Sequence, residues 1–415
     1  MNTEKFIANR ITIAKNSKTQ YSKIISRLCV IAISVSISII VLSICFGEGL
    51  KKSIENNFVE LFSNIRIENF TNNDHIYTES DTFSLNPKKI EQIKGLKKIN
   101  HLQPVLTKFT ALSHKNNLNG TILLGIDSTY KIEYINKNIK KGNTDLSWEK
   151  GDYPKIIISS KIAKKLEANI NDTILFSFAR IKKNSSKSDT TATFSNSIIS
   201  GIYESNIKEF DEKICYVNMN YLRHKFKLND NTISYYEVFT DGNIDIKKIT
   251  KIINSPLIKV LSLNEKFPWL YQWVNSFNNN IYFITIIMVI ICLINMLSFI
   301  IILILERTYM IGILKSFGTN NQRISKIFFY ISLKITMKGI LYGNLIAIII
   351  LFFQNKFEII KLNPESYFVK KLPFEFPLEK IIQVNILSLI LIQFALIIPL
   401  LIITRLKPTK ILYIK

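Results

Sequence analysis

The stretch LERTYMIGILKSFGTNNQRI, residues 305–324, separates two long apolar runs and itself carries a carboxylate, two arginines and a lysine. Its apolar side chains recur at the three- and four-residue spacing of a helix, so it predicts a short amphipathic helix over residues 306–317. On a helical projection the large apolar residues share one side, and small residues form a narrow strip on another. The large residues are Tyr309, Met310, Ile313, Leu314 and Phe317, and the small ones are Thr308, Gly312 and Ser316.

The residues after this helix predict where it ends. Gly318 is placed to end it in the left-handed conformation, which glycine adopts without a steric penalty. Thr319 and Gln322 have the spacing of a capping box at the start of the next helix. The stretch therefore predicts a helix, a glycine stop and a new helix in quick succession.

Four apolar runs, at residues 24–46, 281–305, 327–353 and 384–404, reach the roughly 20 residues of helix that cross a bilayer. The second contains no charged residue. The first exceeds the apolar part of a secretory signal peptide, and no small-residue cleavage pattern follows it, so we expect a retained anchor. Lysine and arginine before the first run and after the last predict that both termini are cytoplasmic.

These runs predict an α+β membrane protein with four transmembrane helices, one plus three, and a large mixed α+β periplasmic domain between the first and second. The predicted segments are a cytoplasmic segment (1–23), the first transmembrane helix (24–46), the periplasmic domain (47–280), the second transmembrane helix (281–305), a cytoplasmic loop with a short helix (306–326), the third transmembrane helix (327–353), a periplasmic hairpin (354–383), the fourth transmembrane helix (384–404) and a cytoplasmic tail (405–415).

Local patterns predict the elements of the periplasmic domain. Alternating residues predict a strand over residues 64–70, and Ser159 or Ser160 can cap a following helix. A hairpin is expected to turn at Asn119-Gly120, the run ICYVNMNYL (214–222) is expected to be a strand, and the polar residues 180–192 are expected to form a protruding loop.

Composition argues against several classes of function. The formal net charge is +23, but the lysines are dispersed, so we expect no nucleic-acid binding. The four cysteines and four histidines lack disulfide or metal-ligand spacing, and no nucleophile, base and acid form a local motif. We therefore expect no metal, no catalytic residue and no directly bound cofactor.

The stretch quoted first resembles the cytoplasmic loop of the FtsX-like permeases of ABC transporters, where an E-R-x-x-x-I-G-I-L-K-x-x-G pattern forms the coupling helix that seats on the ATPase. The matching residues are Glu306, Arg307, Ile311, Gly312, Ile313, Leu314, Lys315 and Gly318. The resemblance extends to FIANRI near the start, to IIISSKIAKKLEANINDTI and to the closing TRLKPTKILYIK, and it is closest to the lipoprotein-releasing permeases LolC and LolE.

This resemblance implies a permease subunit in the bacterial inner membrane that extracts lipoproteins by mechanotransmission. It implies a separate LolD-like ATPase that binds ATP and Mg, a second permease chain and a LolA-like carrier received near residues 180–192. No phosphate-binding loop of the form G-x-x-x-x-G-K-[ST] occurs in the sequence. The alternatives are a MacB-like exporter of peptides or small amphiphiles and an FtsX-like regulator of cell-wall hydrolases.

Polar residues inside the predicted spans carry further expectations. Ser34, Ser36 and Gly343 are small enough for close helix packing, and the Asn344 amide should find a partner inside the bundle. Two lysines one turn apart, Lys334 and Lys338, are expected to extend towards the cytoplasmic face, with a substrate-linked or lipid-binding role as the alternative. A proline in the fourth run, Pro399, predicts a kink.

Overall fold

The computed structural model describes residue 4 and residues 20–71, 79–184, 187–242 and 244–399. The chain divides into two compact units. The membrane unit comprises the described residues up to Lys52, Trp273–Lys361 and the described residues from Lys371 onward. The sheet unit comprises Ser53–Gln272 and Leu362–Lys370. Two of the unit boundaries, after Lys52 and after Gln272, fall within long helices, so each of these helices contributes residues to both units.

The described ranges contain helices α1 to α13 and strands β1 to β10. The helices are α1 (Gln20–Phe62), α2 (Pro87–Lys94), α3 (Glu133–Asn138), α4 (Ser160–Leu166), α5 (Lys208–Lys213), α6 (Met219–Phe226), α7 (Ile246–Ile253), α8 (Leu263–Lys266), α9 (Pro268–Glu306), α10 (Thr308–Ser316), α11 (Asn321–Phe357), α12 (Pro364–Tyr367) and α13 (Leu378–Ala395). The strands are β1 (Ile65–Asn69), β2 (Ile99–His114), β3 (Asn117–Ile126), β4 (Ile139–Gly142), β5 (Lys155–Ser159), β6 (Thr173–Asn184), β7 (Lys187–Tyr203), β8 (Ile214–Asn218), β9 (Tyr235–Thr240) and β10 (Ile258–Ser262).

Four helical segments are long and apolar enough to cross a membrane: Ile24–Phe62, Pro268–Glu306, Asn321–Phe357 and Leu378–Pro399. The first precedes the sheet-forming residues in sequence and the other three follow them. Helix α13 begins before residue 384, where the fourth predicted span starts, and residues 400–404 of that span lie outside the described residues. Helix α13 ends at Ala395, four residues before Pro399, whose nitrogen has no hydrogen to donate to the Ala395 carbonyl.

The sheet unit is built on ten strands in the order β10-β1-β9-β2-β3-β8-β5-β7-β4, with β6 pairing with β2 and β7. The long strand β2 pairs with β9 through its first half and with β3 through its second half. One hydrophobic core of the sheet unit forms around Ile67, Ile93, Val238 and Ile249. Another forms around Leu123, Ile158, Leu166 and Phe176.

The sequence located several of these elements correctly. Strand β1 falls within residues 64–70, and the Ser159 side chain caps α4 by accepting a hydrogen bond from the Ile162 amide. The predicted turn at Asn119-Gly120 is wrong, because the hairpin turns at Lys115 and Asn116. In the observed register Asn119 and Gly120 lie inside β3, where they pair with Leu112 and Ala111 of β2.

Two further expectations in the sheet unit are corrected. Residues 180–192 are not an irregular loop, because the backbones of β6 and β7 pair from Thr173 with Ile198 out to Asn184 with Lys187. A continuous backbone ladder can hold polar strands together without a hydrophobic face. The run ICYVNMNYL is a strand only to Asn218, whose side chain then caps helix α6.

Candidate coupling site

Helix α10 is joined to α9 and α11 by very short connections. Only Arg307 separates α9 from α10, and its backbone (φ −101°, ψ 12°) departs from regular helical geometry. Helical hydrogen bonds nevertheless flank this residue, because the Arg307 amide donates to Leu303 and the Ile311 amide donates to Arg307. The chain therefore bends at Arg307 without a flexible linker. Two guanidinium nitrogens of Arg307, Nε and Nη2, are shielded from solvent and find no hydrogen-bond partner among the described residues.

The C-terminus of α10 has the predicted glycine cap. Gly318 has φ +79°, its amide donates to the Lys315 carbonyl at 3.0 Å, and the Thr319 amide donates to the Leu314 carbonyl at 3.0 Å. This pair of hydrogen bonds is a Schellman motif. Because Thr319 serves the end of α10, it does not start the next helix. The predicted capping box of Thr319 and Gln322 is wrong, and Asn320 is the residue that precedes α11.

One side of α10 is packed inside the membrane unit. Ile311 is 0% exposed and belongs to the same core as Ile304, Ile324 and Phe328, while Leu314 packs at its edge. Gly312 is also buried. Of the residues that the resemblance assigned to the ATPase, Ile311 and Gly312 therefore anchor α10 to its own chain. The helical projection grouped residues by side but could not show which side faces inward.

The outward side of α10 carries different residues. Tyr309 is 62% exposed and Phe317 is 83% exposed, and Glu306 and Gly318 are also exposed. Ile313, Leu314, Lys315 and Arg307 are partly buried, and burial lowers the pKa of Lys315. Exposed aromatic side chains such as Tyr309 and Phe317 are residues that a protein partner can bury. The sequence pattern included both rings, but only the structure singles them out.

The membrane unit places the predicted packing residues at contacts between its helices. A Cβ at Gly343 would lie 2.7 Å from the Ser34 carbonyl oxygen, and one at Gly339 would lie 2.5 Å from an Ile33 methyl carbon. Gly339 and Gly343 form a G-x-x-x-G pattern that the sequence analysis did not use. Ser34 itself is buried, and its hydroxyl donates to the Val30 carbonyl of its own helix at 2.7 Å.

Polar side chains connect α11 with α13. The Asn385 amide donates to the Asn344 side-chain oxygen at 3.2 Å, and Asn344 donates to the Ile340 carbonyl at 2.8 Å. Further along, the Ser332 hydroxyl donates to Gln393 at 2.7 Å. The remaining predicted residue, Ser36, is buried and interacts with the Cys292 thiol of α9. Lys334 is partly buried and Lys338 is exposed.

The sheet unit contains a buried charge cluster that the sequence did not indicate. Glu68 on β1 is 0% exposed and lies 3.0 Å from Arg66, 2.9 Å from Lys266 and 3.4 Å from Lys259. The Arg66 guanidinium also stacks 3.4 Å from the centre of the Tyr235 ring. Antiparallel pairing sets Glu68 opposite Lys259 of β10 and Tyr235 of β9, and Lys266 lies on α8, which follows β10. In the chain, β1 follows α1, and β10 is followed by α8 and α9.

A second buried carboxylate lies on the neighbouring strand β9. Glu237 accepts a hydrogen bond from the Gln103 amide at 2.6 Å. Burial raises the pKa of Glu237 to about 7, against the opposing influence of the Gln103 hydrogen bond and the Arg66 charge. Within the described ranges, no group of three histidine, cysteine, aspartate or glutamate side chains could hold a metal ion.

Comparison with known proteins assigns both parts of the chain. Residues 26–255 match the MacB-like periplasmic core domain, and residues 282–408 match the FtsX-like permease C-terminal family. A relative from Buchnera aphidicola subsp. Schizaphis graminum (strain Sg), "Lipoprotein-releasing system transmembrane protein LolC", is 25% identical over 397 residues, 94% of each chain. An "Uncharacterized membrane protein" of the same organism is 26% identical, over 94% of this chain and 92% of its own.

Among solved structures, the extracellular domain of the noncanonic ABC-type transporter YknZ from Gram-positive bacteria covers 48% of this chain and 100% of its own, at 18% identity and a TM-score of 0.33. That TM-score is too low to carry an argument. The family assignment depends on the sequence matches, and the first of them alone covers more than half of the chain. The chain therefore belongs to the FtsX-like permeases that carry a MacB-like periplasmic core domain.

Proposed function

We propose that this chain is the transmembrane permease subunit of an ABC-type lipoprotein-releasing complex in the bacterial inner membrane, with the sheet unit on the periplasmic side. The observation that carries the proposal is α10, which is fixed to the membrane unit by Ile311 and presents Tyr309 and Phe317 outward. The lipoprotein-releasing relative, 25% identical across nearly the full length of both chains, supports this choice of cargo.

In this proposal a separate LolD-like ATPase binds ATP and Mg and presses on the outward face of α10. Movement of that face would be transmitted to α9, because only one residue and no flexible linker separates the two helices. Helix α9 continues without interruption from Glu306 back to Pro268. A continuous helix of this length transmits displacement along its axis, since every turn is held by backbone hydrogen bonds.

Energy from ATP is needed because lipoprotein acyl chains are stable in the bilayer. Each buried methylene contributes about 0.8 kcal/mol, so removing several chains costs tens of kcal/mol unless an apolar surface receives them. A second permease chain, identical or homologous, would complete such a surface. We assign the β6–β7 hairpin, paired out to Asn184 and Lys187, as the element that meets a LolA-like carrier.

Binding of the ATPase tests the role of α10 directly. Phe317→Asp should weaken association of a tagged LolD-like ATPase with the detergent-solubilised permease by roughly 30-fold or more, since truncating a buried interface aromatic costs about 2 kcal/mol or more. Phe194→Asp is the matched control, because Phe194 is an exposed phenylalanine in the sheet unit. Equal ATPase binding by both variants would remove α10 from the interface.

Depletion of the protein tests the cargo. Mature lipoproteins should accumulate in the inner membrane as the protein is lost, while small-molecule resistance and cell separation stay normal. Unchanged lipoprotein sorting with increased sensitivity to amphiphiles would instead favour a MacB-like exporter. Unchanged sorting with a defect in cell-wall cleavage would favour an FtsX-like regulator.

A further inference from the structure

One outward stripe of α11 combines two lysines with a series of apolar residues. The stripe begins with Lys334 and Lys338 and continues at alternating four- and three-residue steps, which keep its members on one side of the helix. The apolar members Leu341, Leu345, Ile348 and Phe352 are all exposed in this chain. Over its 37 residues, α11 contains no aspartate or glutamate.

The contacts of α11 with α1 fix the depth of these lysines. A Cβ at Gly339 would meet Ile33 and the Val30 carbonyl, and one at Gly343 would meet Ser34 and Ile37, so α1 and α11 run in the same direction. Lys338 therefore lies at the level of Val30 to Ile33. At 1.5 Å per residue this level is about 4.5 to 9 Å beyond Arg27, the last charged residue before the apolar run of α1.

Helix geometry directs both ammonium groups back towards the level of Arg27. Side chains on a helix tilt towards its N-terminus, and the N-terminus of α11 is the end next to α10. A lysine side chain extends about 6 Å and can lie along apolar surface while its charge reaches the headgroup region. Lys338 can therefore place its positive charge among the lipid headgroups of the leaflet next to α10.

The apolar part of the stripe has the length of one leaflet. From Leu341 to Phe352 the helix rises about 16 Å, and half of a hydrocarbon core is about 15 Å thick. A phospholipid with its headgroup at Lys338 would thus extend its acyl chains along these four side chains. Lys338 is exposed and α11 contains no carboxylate, so the charge of Lys338 favours an anionic headgroup.

We propose that Lys338 binds the phosphate-bearing headgroup of an anionic phospholipid in the leaflet next to α10, while Leu341, Leu345, Ile348 and Phe352 contact its acyl chains. The site rests on the membrane orientation given above and is independent of the cargo. Such a lipid would fill the outer side of α11, on the opposite side from the glycines that contact α1.

Native mass spectrometry of the full-length, delipidated chain tests the site by titration with phosphatidylglycerol or phosphatidylcholine of identical acyl chains. The wild-type chain should bind the first phosphatidylglycerol more tightly than the first phosphatidylcholine. Lys338→Gln should raise the Kd for phosphatidylglycerol about fivefold, the contribution of one lysine near an anionic surface. The Kd for phosphatidylcholine should stay unchanged, and inorganic phosphate should not displace the bound lipid.

Lys356→Gln is the matched control, because Lys356 is an exposed lysine near the opposite end of the same helix. Its loss should leave the phosphatidylglycerol Kd unchanged, and equal circular dichroism spectra would show that both variants fold. The proposal is overturned if the wild-type chain binds the two lipids equally, or if both variants lose the same affinity. The assay contains neither ATPase nor lipoprotein, so its result does not depend on whether the proposed function is correct.

Discussion

Replacing Lys266 with methionine would show how much the buried charge cluster stabilises the sheet unit. The Lys266 side chain is 4% exposed and lies 2.9 Å from Glu68, which is 0% exposed. Removing one partner from a buried ion pair typically costs 3–5 kcal/mol, because the other charge stays buried. Glu68 would still have Arg66 and Lys259 within 3.4 Å. We therefore expect Lys266→Met to lower the free energy of unfolding by about 3 kcal/mol.

Removing the carboxylate of the cluster should lower the free energy of unfolding further. Glu68→Gln leaves Arg66, Lys259 and Lys266 without their shared carboxylate, so the loss should approach 5 kcal/mol. In a unit of this size, each kcal/mol changes the melting temperature by about 2–4 °C. The expected decreases are therefore about 6–12 °C for Lys266→Met and about 10–20 °C for Glu68→Gln.

Intrinsic tryptophan fluorescence during heating of the full-length chain in detergent measures this effect. Trp148 and Trp269 lie in the sheet unit and report on its unfolding. Lys140→Met is the matched control, because Lys140 forms an ion pair with Glu204 at 3.0 Å whose side chains are both more than one-third exposed. Exposed pairs contribute at most about 1 kcal/mol. A melting temperature for Lys266→Met within 2 °C of that control, about the effect of 1 kcal/mol, would refute a stabilising cluster.

Two further predictions concern Glu237 and Gly343. The folded-state pKa of Glu237 is about 7, above the usual 4.5, so between these pH values the folded protein retains a proton that the unfolded chain has released. The free energy of unfolding should therefore fall by about 1.4 kcal/mol per pH unit across this range. Glu237→Gln should remove this dependence. Urea unfolding at pH 5 and 8 measures it, and an equal loss of stability between these pH values in the wild-type chain and the variant would contradict the reasoning. Gly343→Leu should destabilise the membrane unit by about 1–3 kcal/mol, because α1 lies within 2.8 Å of the new Cβ. Thermal unfolding should show no such loss for Ile348→Leu on the exposed side of α11, and a normal melting temperature for Gly343→Leu would contradict close packing of the two helices.

The structure divides the coupling motif in a way that a single sequence could not. Helical spacing places Tyr309, Ile313 and Phe317 near one another, but it contains no information about what surrounds the helix. Packing against side chains of α9 and α11 buries Ile311 in the core, whereas Phe317 stays exposed. The same limit applies to the charge cluster, since Glu68 and Lys266 are far apart in sequence and meet because β1 pairs with β10, the strand that precedes α8.

Local physics explains what the sequence determined by itself. The length of an apolar run decides whether a helix can cross a bilayer, and the identity of one residue decides the left-handed cap at Gly318 and the serine cap at Ser159. Tertiary structure alone decided the turn at Lys115 and Asn116, the pairing of β6 with β7 and the inward side of α10. Each of these depends on which other surface a residue meets, and that choice is made by packing and register across the whole fold.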